Sequence, residues 1–189
     1  MRRGDHRRRG GAALRTGVLI SGEGTNLQAL IDADAVTVAC VVSSRPDAPG
    51  VERATRAGLP VTVTADPDET ADFLDRHGVE LVVLAGYMRI LPPRFLERFP
   101  GRVVNVHPSL LPAFPGRTAI ADALAHGVRV TGVTVHLVDE GVDTGPIILQ
   151  EAVEVPYDDD ALELERRIHL VEHRLLVRAV REFPVRTAR

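Results

Sequence analysis

Asn105 and His107 stand two residues apart in the stretch Asn105-Val106-His107-Pro108-Ser109-Leu110-Leu111-Pro112. Alternation along a strand puts their side chains on one face, and the prolines at 108 and 112 stiffen the adjoining loop. Farther along, Val138-Asp139-Glu140-Gly141-Val142-Asp143-Thr144-Gly145-Pro146 makes an acidic, glycine-punctuated loop. Taken singly, a histidine at a strand end is more often structural, and an acidic loop is more often a solvated turn. Together, an amide donor, an imidazole and a carboxylate suffice for acyl transfer without a covalent intermediate. The sharper reading of the acidic loop is a carboxylate delivered to the histidine.

Two other loops carry unusual chemistry. Ser21-Gly22-Glu23-Gly24-Thr25-Asn26 comes after a short apolar run and opens a helical pattern. Such a loop either brings its backbone close to an anion or is a tight turn with Thr25 or Asn26 capping the helix. It is not a dinucleotide fingerprint, because Leu27 stands where the third glycine belongs, and the second strand ends in Val42-Ser43-Ser44 without a ribose-binding acid. The run from Ala85 to Pro93 surrounds Arg89 with Tyr87, Met88, Ile90 and Leu91. It suits a flat amphipathic ligand bonded along its edge by backbone amides, or else packs under the next helix.

Composition narrows the field. The chain has 189 residues, 44% hydrophobic and 26% charged, enough for one domain with a proper core. All 23 cations are arginine, which excludes lysine Schiff-base and P-loop chemistry. A net charge of −3 carries no basic excess for general nucleic-acid binding, and no apolar run is long enough for a membrane span. The single cysteine, Cys40, leaves no disulfide framework and no cysteine-based zinc site, and the nearest pair of histidines, His169 and His173, stands on the closing helical pattern away from the acidic loop. A metal-free cytoplasmic enzyme, monomer or homodimer, acting on small molecules is expected. Residues 1–16 hold Arg2, Arg3, Arg7, Arg8, Arg9 and Arg15 against Asp5, and read as a disordered basic tail before a domain at 17–189.

The elements that must position these loops alternate in type. Apolar runs at Val18–Ile20, Val36–Val42, Val61–Val63, Leu81–Ala85, Val103–Val106, Val130–Val138 and Ile147–Val155 predict strands. Helical patterns run over Asn26–Ala33, Val51–Ala57, Asp68–His77, Pro92–Phe99, Thr118–His126 and Asp160–Glu182. Repeated β-α-β units predict an α/β, doubly wound, mostly parallel sheet with helices on both faces. Ligands then bind beyond the carboxyl ends of the strands.

The segments SGEGTNLQALI, VVLAGYMRILPP, NVHPSLLPAFPG and TGVTVHLVDEGVDTGPII resemble the phosphoribosylglycinamide formyltransferases, a folate-dependent branch of the formyltransferase superfamily in purine biosynthesis. The likeness runs from about Val18 to Arg174 in family order. It implies direct attack of the amine of glycinamide ribonucleotide on the formyl group of 10-formyltetrahydrofolate, the co-substrate. Asn105 and protonated His107 would stabilise the oxyanion, and Asp143 would hold His107 charged and relay the amine proton. Gly24, Thr25 and Asn26 would take the substrate phosphate, and Glu172 the ribose hydroxyls. Met88, Arg89, Ile90 and Leu91 would hold the pterin, with Asn105 and the loop Asp139, Glu140, Gly141, Val142 and Asp143.

The chain departs from that family in three places. Arg117-Thr118 stands where the family usually has a histidine. The acidic segment after Val63 lacks an arginine that meets the folate tail in some relatives, and no tyrosine-proline comes after Glu172-His173. A formyltetrahydrofolate hydrolase would use the same trio on water but carries an additional N-terminal domain. A methionyl-tRNA formyltransferase would need a C-terminal tRNA-binding domain. A non-enzymatic mononucleotide-binding module would explain the glycine loop but not the trio.

Overall fold

The computed structural model describes residues 13–183. The strands are β1 (Arg15–Ile20), β2 (Thr37–Ser43), β3 (Val61–Val63), β4 (Leu81–Leu84), β5 (Val103–His107), β6 (Val130–Leu137) and β7 (Ile147–Glu154). The helices are α1 (Thr25–Ile31), α2 (Pro49–Arg56), α3 (Pro67–Arg76), α4 (Pro93–Arg98), α5 (Ala119–Ala125) and α6 (Ala161–Glu182). One seven-stranded sheet has the order β3-β2-β1-β4-β5-β6-β7. The pairs from β3 to β5 are parallel, and β6 and β7 close the sheet antiparallel.

Alternation in the buried strands explains the layers. Val18 and Ile20 point into a cluster with Leu27, Leu164, Ile168 and Leu176 under α1 and α6, whereas Leu19 points into one with Leu74, Phe95 and Phe99 under α3 and α4. Both faces are therefore covered, as a parallel sheet requires. Local signals set the helix starts: Asp66 accepts from the Asp68 and Glu69 N–H groups at α3, and Asp160 from that of Glu163 at α6.

Strand order reverses between β1 and β4, so the loops after these two strands flank a crevice. Ser21 and Met88 join them: Ser21 N–H donates to the Gly86 carbonyl at 3.1 Å, and Met88 N–H to Ser21 Oγ at 2.9 Å. Arg15 and Thr16, expected at the end of the tail, belong instead to β1, where their backbone pairs with β2. The rest of the expected tail, residues 1–12, lies outside the described residues.

Candidate active site

β5 places the first two functional groups. Asn105 pairs with His136 of β6, and His107 with Thr134. The β6–β7 loop folds back so that the Asp143 carboxylate reaches both: Oδ1 lies 3.3 Å from Asn105 Nδ2, and Oδ2 lies 3.3 Å from His107 Nδ1. The other His107 nitrogen, Nε2, is 2.8 Å from the Phe114 carbonyl. A carbonyl only accepts, so Nε2 carries a hydrogen. Nδ1 faces a carboxylate oxygen of Asp143.

The loop that supplies these partners is pinned to the sheet. Thr134 Oγ1 donates to the Ser109 carbonyl at 2.7 Å and accepts from Leu111 N–H at 3.1 Å, while Ser109 Oγ donates to the Ala113 carbonyl. Gly116 N–H then donates to Asp143 Oδ2 at 2.8 Å. Phe114 and Asp143 both adopt positive φ, 50° and 56°, a left-handed backbone held by the surrounding contacts. Burial pushes the Asp143 carboxyl up. Hydrogen bonds from His136 and Gly116 and the charges of His107 and His136 outweigh it, leaving the group below the ordinary carboxylate range. It is ionised at neutral pH.

His136 is absent from the trio that the sequence suggests, yet it belongs to this cluster. Its Nε2 lies 3.2 Å from Asn105 Nδ2 and 3.5 Å from Asp143 Oδ1, and its Nδ1 donates to the Leu137 carbonyl at 2.8 Å. The neutral ring thus offers a lone pair to the amide, and the protonated ring a hydrogen to the carboxylate. A signal for it does exist. A polar side chain in the apolar run Val133-Thr134-Val135-His136-Leu137 obeys the same alternation that joins Asn105 to His107.

A cavity of about 420 Å³ opens over the cluster. Asn105, His107, His136 and Asp143 line it, together with Met88, Arg89, Ile90 and Leu91 from the β4–α4 loop, and Asp139, Gly141 and Val142. Glu140 does not. The Met88 N–H is engaged by Ser21, so edge contacts from this loop fall to Arg89, Ile90 and Leu91, whose N–H groups have no partner among the described residues. Among the described residues there is no group of three or more His, Cys, Asp or Glu side chains that could hold a metal ion.

Gly24, Thr25, Asn26 and Glu172 lie apart from that cavity lining but form a second centre. Asn26 Nδ2 donates to Glu172 Oε2 at 3.0 Å, across 146 positions of sequence. The capping alternative for Thr25 and Asn26 does not occur: Gly24 itself is the cap, at φ 70°, with no side-chain cap bond. A Cβ on Gly24 would lie 2.7 Å from Gly50 Cα, so the loop and α2 meet only because both residues are glycine. Asn26 Oδ1 is buried without a partner among the described residues, and burial raises the Glu172 carboxyl despite the Asn26 bond. An unspent acceptor beside a desolvated carboxyl is a poor packing solution and a good ligand site.

A doubly wound sheet that gathers an amide, two imidazoles and a carboxylate around one apolar cavity defines an α/β enzyme of the acyl-transfer type. The formyl transferase family model matches residues 14–180, and the chain belongs to that family. It is 48% identical over 181 residues to the phosphoribosylglycinamide formyltransferase of Mycobacterium tuberculosis H37Rv, covering 89% of this chain and 84% of that protein. It is 45% identical to the trifunctional purine biosynthetic protein adenosine-3 of Chironomus tentans, but spans only 13% of that protein. The crystal structure of glycinamide ribonucleotide transformylase 1 from Symbiobacterium toebii superposes with a TM-score of 0.87 at 49% identity, covering 92% and 89% of the two chains.

Proposed function

We propose that the chain transfers the formyl group of 10-formyltetrahydrofolate to the amine of glycinamide ribonucleotide in purine biosynthesis. The observation that carries this reading is the Asp143 carboxylate set between Asn105 and His107 on the wall of the cavity. The amine nitrogen attacks the formyl carbon, and the carbonyl oxygen becomes an oxyanion. His107 Nε2–H, which rests on the Phe114 carbonyl, turns to that oxygen, and Asn105 Nδ2 adds a second donor. Asp143, ionised at neutral pH, keeps the His107 ring charged and takes part in removing the proton that the amine loses. Collapse of the tetrahedral species breaks the bond from carbon to the folate nitrogen, which leaves with a proton.

Gly24, Thr25 and Asn26 take the phosphate of the ribonucleotide, and Glu172 its ribose hydroxyls. Asn26 Oδ1, buried and unpartnered, is free to accept from such a hydroxyl. The folate ring lies against Met88–Leu91 and the Asp139–Asp143 loop, bonded by the free N–H groups of the first. The test is an assay of formyl transfer with both substrates beside a control without amine. Formylated ribonucleotide formed in proportion to folate consumed supports the reading. Formate release that ignores the amine would mean a hydrolase and refute it.

A further inference from the structure

The His107 ring is aimed from both sides. Asp143 Oδ2 faces Nδ1 at 3.3 Å, and the Phe114 carbonyl accepts from Nε2–H at 2.8 Å. The first partner is fixed by Gly116 N–H. The second belongs to a residue whose own backbone does not favour its place. Phe114 is at φ 50°, and a bulky L-residue stays in that region only where its surroundings hold it. The bonds of Ser109, Leu111 and Ala113 pin the chain before Phe114, and that of Gly116 the chain after it. None of these bonds reaches Phe114 itself. Its side chain is held elsewhere.

The Phe114 ring meets the ring of His126, with centroids 5.3 Å apart and planes tilted by 59°, an arrangement in which aromatic faces and edges attract. His126 caps the end of α5, and its Nδ1 lies 2.9 Å from the Asp122 carbonyl. A carbonyl only accepts, so Nδ1 carries the hydrogen and the ring is fixed on the helix end. Asp122 is tied in turn to the helix start, where its Oδ2 accepts from Thr118 Oγ1 at 2.8 Å. The segment 114–118 and α5 therefore close on themselves where the two rings meet. Neither Phe114 nor His126 lines the cavity. We propose that His126 is a positioning residue. Its ring holds Phe114 so that the carbonyl keeps His107 turned, with Nδ1 toward Asp143 and Nε2–H available to the oxyanion. This rests on the formyl-transfer reading of the site. A misaimed donor costs rate without costing substrate binding.

The test compares His126→Ala, His126→Asn and His126→Phe in the full chain, by steady-state formyl transfer and by NMR of isotope-labelled histidines. His126 is exposed, so these changes leave the core untouched, and thermal melts check that the fold is kept. His126→Ala and His126→Asn should lower kcat about two- to tenfold. Both KM values should stay as they are, and solvent exchange of the His107 Nε2 proton should speed up. His126→Phe keeps the ring contact and should retain wild-type kcat and exchange. Phe114→Leu keeps the carbonyl without the aromatic partner, so it should cost as much as His126→Ala, and the pair together little more than either alone. Unchanged kcat or unchanged exchange in His126→Ala overturns the inference and leaves the formyl-transfer reading standing. An equal loss in His126→Phe also overturns it, because the Asp122 bond and not the ring would then act. A raised KM with kcat intact does the same. A wild type that forms no formylated ribonucleotide defeats the formyl-transfer reading, and the proton exchange in these variants then shows separately whether His126 holds Phe114 against His107.

Discussion

Asp143→Asn keeps the size of the side chain and removes its charge. The carboxylate faces His107 Nδ1 at 3.3 Å and accepts from Asn105 on one oxygen and Gly116 on the other. A pair of unit charges about 4 Å apart is worth about 4 kcal/mol at an effective dielectric of ~20, which is roughly three powers of ten in rate. Mutational series for acid–base groups give losses of ~10²–10⁴. Turnover should therefore fall by about 100- to 1,000-fold. The amide has a single acceptor for two sets of donors, so one buried donor is left facing an NH₂ group at a cost of about 1–3 kcal/mol. A melting temperature lowered by a few degrees is expected, with the fold and both binding sites retained. The assay is steady-state formyl transfer together with calorimetric binding of each substrate. His107→Ala added to Asp143→Asn should cost little more than either alone, because the two act as one unit. Turnover that falls less than about tenfold would refute this role for the carboxylate and reduce the loop to a turn.

Asn26→Leu should raise the KM for glycinamide ribonucleotide about tenfold or more and leave folate binding nearly intact, whereas Gly24→Val should also lower the melting temperature, because its side chain meets the α2 backbone; equal weakening of both substrates in Asn26→Leu would indicate damage to the fold. Glu172→Gln should weaken ribonucleotide binding while raising the melting temperature at neutral pH by about 2–4 °C, since it removes a charge whose burial is unfavourable. The sign comes from the raised carboxyl of Glu172: the folded state holds this proton more tightly, so the group favours folding at low pH and opposes it as pH rises above the ordinary carboxylate range. Glu172→Gln should accordingly be more stable than the wild type at pH 8 but not at pH 4, as thermal melts would show. Asp143 behaves in the opposite sense. With its carboxyl depressed, its contribution to stability is present at neutral pH and is lost as pH falls through the folded value. EDTA should leave activity unchanged, and zinc-dependent recovery after chelation would overturn the mechanism.

The strands and helices are legible in the sequence because each obeys its own period. Leu81–Ala85 reads as a strand buried on both faces, and Leu81–Leu84 form one; Asp160 heads the predicted last helix and caps α6, whereas Asp66, the cap of α3, stands two residues before the predicted start at Asp68. Pairing of Asn105 with His107 needs only alternation. Local pattern does not carry direction and distance. Val130–Leu137 reads as a strand in either orientation, and its antiparallel pairing with β5, which delivers His136 to Asn105, is decided by the path of the preceding loop. The Asn26–Glu172 contact has no local signature at all. Resemblance to a family suggests a shared ligand for these two residues; only packing of α6 against α1 brings them within 3.0 Å.

On the proposed mechanism, the Phe114 carbonyl that receives His107 Nε2–H is a placeholder. In the resting chain the reactive proton is never bare, since a backbone oxygen occupies the role that the substrate's oxygen takes over. Exchange of one acceptor for another costs little hydrogen-bond energy. Phe114 sits at φ 50°, a conformation disfavoured by about 1–2 kcal/mol for an L-residue. A water molecule arriving alone offers a neutral oxygen in place of one already fixed. A bound formyl group under attack offers an oxygen gathering negative charge, and that difference favours unmasking the donor during transfer over unmasking it at rest.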